Sequence, residues 1–304
     1  MKKALQYTLL TAIFLGIAYY IASDWDIRFL IGIRLDVKNL FISIGLLTAR
    51  FFLACSLSHQ LVKCKKEIKF LSYQKIYFLS QLGRYLPGKI WMVLGKVESL
   101  RRKGFDVWWI TTASVLEMLL MGLGALLVVV SYLSFNPIGK IEFFSRFALL
   151  LLIGCIVISV FSQSIIQFCL KSGRLVFKSF ASRISGTIQK QKQGKLSTIT
   201  LGYCFCWIIQ GVAFYFLIYS LLPNTPFSYY FVFAYTIAWL TGFVTVFSPA
   251  GIGVRESMLI VLLSMKVSTT EAAVIAMLAR VWATGTELSI AFISLIATRK
   301  GPLS

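Results

Sequence analysis

The stretch DVWWITTASVLEMLLMGLGALLVVVSYL, residues 106–133, contains after its opening aspartate a single charged residue, Glu117. At ~1.5 Å of rise per residue, a helix of that length exceeds the ~30 Å thickness of a bilayer's hydrocarbon core. Similar runs lie on both sides of it: Ala4 to Ala22, Asn39 to Val62, Ser145 to Leu170, Leu196 to Leu221 and Thr270 to Ala297. Over all 304 residues, 58% are hydrophobic and only 14% charged. A chain that must keep its apolar side chains from water cannot bury so many in one core, so the reading is an all-α integral membrane protein with six spans.

The charge balance is 31 Lys+Arg against 11 Asp+Glu, a formal +20. It falls in a few loops. Lys171, Arg174, Lys178, Arg183, Lys190, Lys192 and Lys195 share one connection without an acid, and Lys63, Lys65, Lys66 and Lys69 surround Glu67. Such clusters mark cytoplasmic loops, which accounts for the charge without a nucleic-acid partner. Lys2 and Lys3 put the N-terminus inside, and Arg299 with Lys300 puts the C-terminus inside as well. The expected location is a bacterial or archaeal cytoplasmic membrane. His59 is the only histidine, and Cys204 and Cys206 have no histidine neighbours, so neither a metal site nor an imidazole triad is expected. Nothing resembles an ATP site, and no cofactor is implied.

Two stretches break the pattern. Residues 71–103 carry Lys75, Arg84, Lys89, Lys96 and Glu98 and are interrupted by Gly83, Pro87 and Gly88. Residues 228–266 are more apolar and interrupted by Pro249, Gly251 and Gly253. Each break frees backbone groups that lipid cannot satisfy, so both read as re-entrant hairpins packed in protein or facing a wet cavity. Aligning Pro87 with Pro249 sets Glu117 opposite Ala279, one residue short of Arg280. With the first hairpin entering from the lysine-rich side and the second from the other, the chain reads as an inverted repeat within one membrane domain, 1–304. Its first half is about 1–170 with hairpin 71–103, its second about 196–297 with hairpin 228–266, and a basic cytoplasmic loop, 171–195, lies between.

Glu117 and Arg280 fall near the membrane midplane, where a charge costs a few kcal/mol and normally pairs or lines a cavity. Two uses follow: an ion pair locking two helices, or a substrate-facing role. Arg280, Thr284 and Glu287 recur on one helical face. In the first hairpin a helix restarting after Gly88 aims free amides inward beside Arg84 and Lys89. Ser248 to Glu256 repeats the arrangement, with glycines for close backbone approach and Arg255 for charge. Arg50, in the middle of an apolar run, is expected to pair with a carboxylate or snorkel to the surface rather than to serve as a second charge for substrate.

The runs GRYLPGKIW (83–91) and SPAGIGVRE (248–256), with a glutamate in the span after the first, resemble the flippase-like membrane family named after the transmembrane region of lysylphosphatidylglycerol synthase. The resemblance covers about residues 4 to 297. It implies the handling of anionic lipids and points to Arg84, Pro87, Gly88, Lys89, Glu117, Pro249, Gly251, Gly253, Arg255 and Glu256. Lysyl transfer in that family belongs to a separate soluble domain that residues 1–304 do not contain, so no enzymatic activity is carried over. The expected function is translocation of an anionic phospholipid or polyprenyl-phosphate-linked precursor. Arg84, Pro87, Gly88, Lys89, Pro249, Gly251, Gly253, Arg255 and Glu256 would bind it, and Glu117, Arg280 and Glu287 would gate or relay a proton. The alternative is a membrane glycosyltransferase using polyprenyl-phosphate sugars, with Asp24 and Asp26 as its carboxylates. A wide channel is disfavoured because most spans lack a polar face.

Overall fold

Asp106, the residue that opens the quoted run, caps a helix: its Oδ1 accepts the amide of Trp109 at 3.0 Å, and the helix continues from Val107 to Phe135. In the computed structural model, residues 35–63, 66–85, 90–136, 195–245 and 251–297 are described. Among them the helices are α1 (Val37–Val62), α2 (Phe70–Gln81) continued by a 3₁₀ turn (Leu82–Tyr85), α3 (Trp91–Arg101), α4 (Val107–Phe135), α5 (Lys195–Leu221), α6 (Tyr229–Val244), α7 (Val254–Leu263) and α8 (Thr269–Ala297). No strand occurs among these residues. The helices α1, α4, α5 and α8 are long and apolar enough to cross a membrane and coincide with four of the six expected spans. The runs 4–22 and 145–170 and the basic loop, save its last residue, lie outside the described residues.

Local sequence sets the helix starts. Asp36 accepts the amides of Lys38 and Asn39 ahead of α1, and Ser228 Oγ accepts the amide of Tyr230 ahead of α6. Ser268 and Glu271 form a reciprocal cap on α8: the Ser268 amide donates to the glutamate at 2.8 Å, and the Glu271 amide to the serine hydroxyl at 3.3 Å. Leu119, Leu201, Phe205, Val281, Phe292 and Ile293 are exposed on the spans. They are penalties in water and ordinary in lipid.

The helix pattern recurs along the chain. A shift of 162 residues carries Val107 to Thr269 and Phe135 to Ala297, so α8 reproduces α4 residue for residue in length. Before them, α1 and α5 have 26 and 27 residues, and α3 and α7 have 11 and 10. Each of the interrupted stretches is a helix, a break and a second helix.

Compactness divides the chain differently from its two halves. Of the described residues, 35–48, 82–85, 90–91, 209–245 and 251–290 form a first unit, and 49–63, 66–81, 92–136, 195–208 and 291–297 form a second. In the first, Ser43 Oγ donates to the Ala213 carbonyl at 2.6 Å, and α6 and α7 pack on each other, with Tyr230 Oη donating to the Leu262 carbonyl. Gly211 lies so close to Val232 that an added Cβ would sit 2.6 Å from the valine Cα. In the second, Gly124 makes the same kind of approach to α5, where an added Cβ would lie 2.8 Å from the Cys204 amide nitrogen. Membrane helices gain no hydrophobic drive toward one another, so small residues and interhelical hydrogen bonds carry their packing.

Candidate substrate site

In the first unit, α8 presents the polar face that the sequence implied. Glu287, buried in this span, lies 3.3 Å from the Arg84 guanidinium and accepts the Tyr85 hydroxyl proton at 2.8 Å. Arg84 and Tyr85 come from the 3₁₀ turn that closes α2, and Thr284 sits beside the tyrosine hydroxyl. About two turns earlier on the same face, Arg280 donates to Glu256 Oε1 at 3.2 Å. The other oxygen of Glu256 accepts the Gly253 amide at 2.7 Å. Glu256 thus caps α7 and ties its first turn to α8. The helix start read as ready for an anion already holds an internal one.

The glycines of this break serve the backbone. Gly251 and Gly253 have φ of 71° and 85°, which side-chain-bearing residues rarely adopt. A Cβ on Gly251 would lie 2.9 Å from Gly242 Cα and 3.0 Å from its carbonyl oxygen. The close approach expected between Gly251 and a ligand is therefore made to α6. Arg255 follows the break. Its guanidinium donates to the Tyr235 hydroxyl and sits 4.8 Å from the centre of that ring. Among the described residues Arg255 has no carboxylate partner. Among the described residues three arginines, 84, 255 and 280, thus face two carboxylates, 256 and 287, and Arg255 is the one whose charge an anion can answer.

In the second unit, Lys96 Nζ lies 2.5 Å from Glu117 Oε2 and donates to Ser58 Oγ at 2.7 Å. Ser58 donates to the same carboxylate oxygen at 2.6 Å and shares a 2.5 Å contact with the Tyr73 hydroxyl. All four residues are buried. Lys96 also lies 5.5 Å from the ring centres of Tyr73 and Tyr77. The ion pair considered between Glu117 and Arg280 is replaced by two others, Lys96 with Glu117 and Arg280 with Glu256.

Lys96, Ser58, Tyr73, Tyr85 and Tyr235 escaped notice as site residues. One signal pointed to the lysine. Glu98 stands three and four residues before Arg101 and Arg102 and pairs with both, so it was never available to Lys96, two positions away on another face. Pro87, Gly88, Lys89 and Pro249, together with Asp24 and Asp26, lie outside the described residues.

A family model described as the lysylphosphatidylglycerol synthase TM region matches residues 6–286. No curated protein and no solved structure matches the chain.

Proposed function

The chain belongs to the lysylphosphatidylglycerol synthase transmembrane-region family, and from that premise we propose that it moves an anionic phospholipid, or a polyprenyl-phosphate-linked precursor, between the leaflets of the cytoplasmic membrane. At the coarser level it is an integral membrane protein of a lipid-related family. The observation that carries the finer reading is the excess arginine beside a membrane-length helix, with Arg255 bound to a hydroxyl and a ring but to no carboxylate.

The physical step is an exchange of counter-ions. A phosphate approaching Arg255 finds a planar donor set suited to bidentate contact. Arg84 joins by giving up Glu287, whose carboxylate keeps the Tyr85 hydroxyl as a donor. Replacing one anion by another spares Arg84 the cost of a bare charge, while Glu287, left with the Tyr85 hydroxyl, bears that cost until the headgroup leaves and Arg84 returns. Glu287 is then the gate, and Arg280 stays on Glu256 to hold α7 in place. The lipid tails remain in the bilayer, and the headgroup leaves chemically unchanged.

Proteoliposomes carrying a fluorescent anionic phospholipid and an impermeant quencher test this. Arg84→Ala with Arg255→Ala should abolish transbilayer movement. Arg84→Lys or Arg255→Lys should slow it while expression and unfolding temperature hold, because an ammonium keeps the charge and loses the bidentate grip. Unchanged movement in the double alanine variant overturns the reading.

A further inference from the structure

Arg50 is a buried cation of the second unit that neither the transport reading nor, among the described residues, an ion pair uses. It stands near the middle of α1, roughly 20 Å from either helix end at ~1.5 Å per residue, and is 6% exposed. The depth and burial exclude snorkelling. Pairing is absent too: among the described residues no carboxylate approaches it, and Nε is enclosed without a hydrogen-bond partner. The guanidinium instead sits 5.2 Å from the ring centre of Phe51 and 5.5 Å from that of Trp207. The Trp207 indole is fixed by its bond to the Met121 carbonyl at 3.0 Å.

A second polar group, on the helix that carries Trp207, is also unsatisfied. The Tyr203 hydroxyl, on a fully buried side chain one turn before Trp207, has no hydrogen-bond partner. Unmade hydrogen bonds inside a protein are costly, the more so where the group is charged. Arginine cannot escape by losing its proton. Among the described residues of this unit the buried Arg and Lys side chains sum the same way: Arg50 and Lys96 against Glu117 leave one positive charge.

We propose that Arg50, with the hydroxyl of Tyr203, forms an oxyanion site inside the second unit that takes the phosphate group of a phospholipid or a free phosphate ion. A monoanion cancels the excess charge, and a phosphodiester is one. Its oxygens satisfy the guanidinium in the planar, bidentate manner that arginine favours, while Phe51 and Trp207 wall the site. The site stands on binding alone and does not depend on transport being the protein's activity.

The test is thermal unfolding of the full-length, delipidated protein in neutral detergent, alone, with dioleoylphosphatidylglycerol, and with inorganic phosphate. Stabilisation by the lipid alone assigns the site to a headgroup, and stabilisation by phosphate alone assigns it to the free ion. Stabilisation by neither overturns the proposal. Arg50→Met should unfold at a higher temperature than the wild type when delipidated, because it removes an unanswered charge, and should lose the ligand-induced shift. A structural arginine predicts the reverse sign, and a lower unfolding temperature with the ligand shift intact overturns the site. If Arg50→Met does not fold, Tyr203→Phe decides. It deletes one unsatisfied hydroxyl without altering shape and should weaken ligand affinity several-fold, whereas unchanged affinity in that variant counts against the site.

Discussion

A buried carboxylate in a membrane helix is stable only with a partner, and the identity of that partner is a residue-scale claim with a clear thermodynamic signature. Glu117 is held by Lys96 and Ser58. Glu117→Gln leaves the Lys96 ammonium uncompensated, and removing one member of a buried pair costs roughly 3–5 kcal/mol. Adding Lys96→Met should recover most of that loss, since no bare charge remains, and the coupling is read from unfolding temperatures in detergent. Rescue by Arg280→Gln in place of Lys96→Met would show the partner to be wrong. The depth of Glu117 was legible because a lone acid in a long apolar run has one explanation. Its partner was not, since an acid in α4 can be met from any neighbouring helix and sequence spacing records only contacts within one helix.

Elements were legible where composition alone sets them. The four membrane-length helices fall within a few residues of the hydrophobic runs, because an apolar run of that length has no other way to satisfy its backbone in lipid. The close packing between helices was not, because a glycine at a helix crossing reads like any other glycine. Gly211 and Gly122 make the contrast testable. An added methyl on Gly211 meets Val232 on α6, whereas nothing lies within 4 Å of one on Gly122. Gly211→Ala should therefore destabilise by roughly 1–3 kcal/mol through overpacking, while Gly122→Ala should be neutral or stabilise by up to ~1 kcal/mol through helix propensity. Equal unfolding temperatures for the two variants would mean that α5 and α6 do not pack through Gly211.

For the whole molecule the open question is the sense of the repeat, and helix lengths decide what to expect. The segment from Phe70 to Tyr85 rises about 24 Å and α3 about 17 Å at ~1.5 Å per residue, both short of a ~30 Å core. The corresponding α6 and α7 rise about 24 Å and about 15 Å. Each helix, break and helix should then return to the face it entered. With the span expected from sequence at 145–170 added to α4 and α5, three crossings would separate the loop at 63–69 from the loop at 222–228 and set the two loops on opposite faces. Charge agrees: the first reads KCKKEIK and the second LPNTPFS, without a charged residue. Cysteines placed at Lys66 and Asn224 in an otherwise cysteine-free chain separate the cases. A membrane-impermeant maleimide applied to intact cells should label Asn224→Cys at once and Lys66→Cys only after permeabilisation. If both label from outside, one helix pair crosses completely and the repeat runs parallel. The idea that α3 and α7 enter from opposite faces then falls with it.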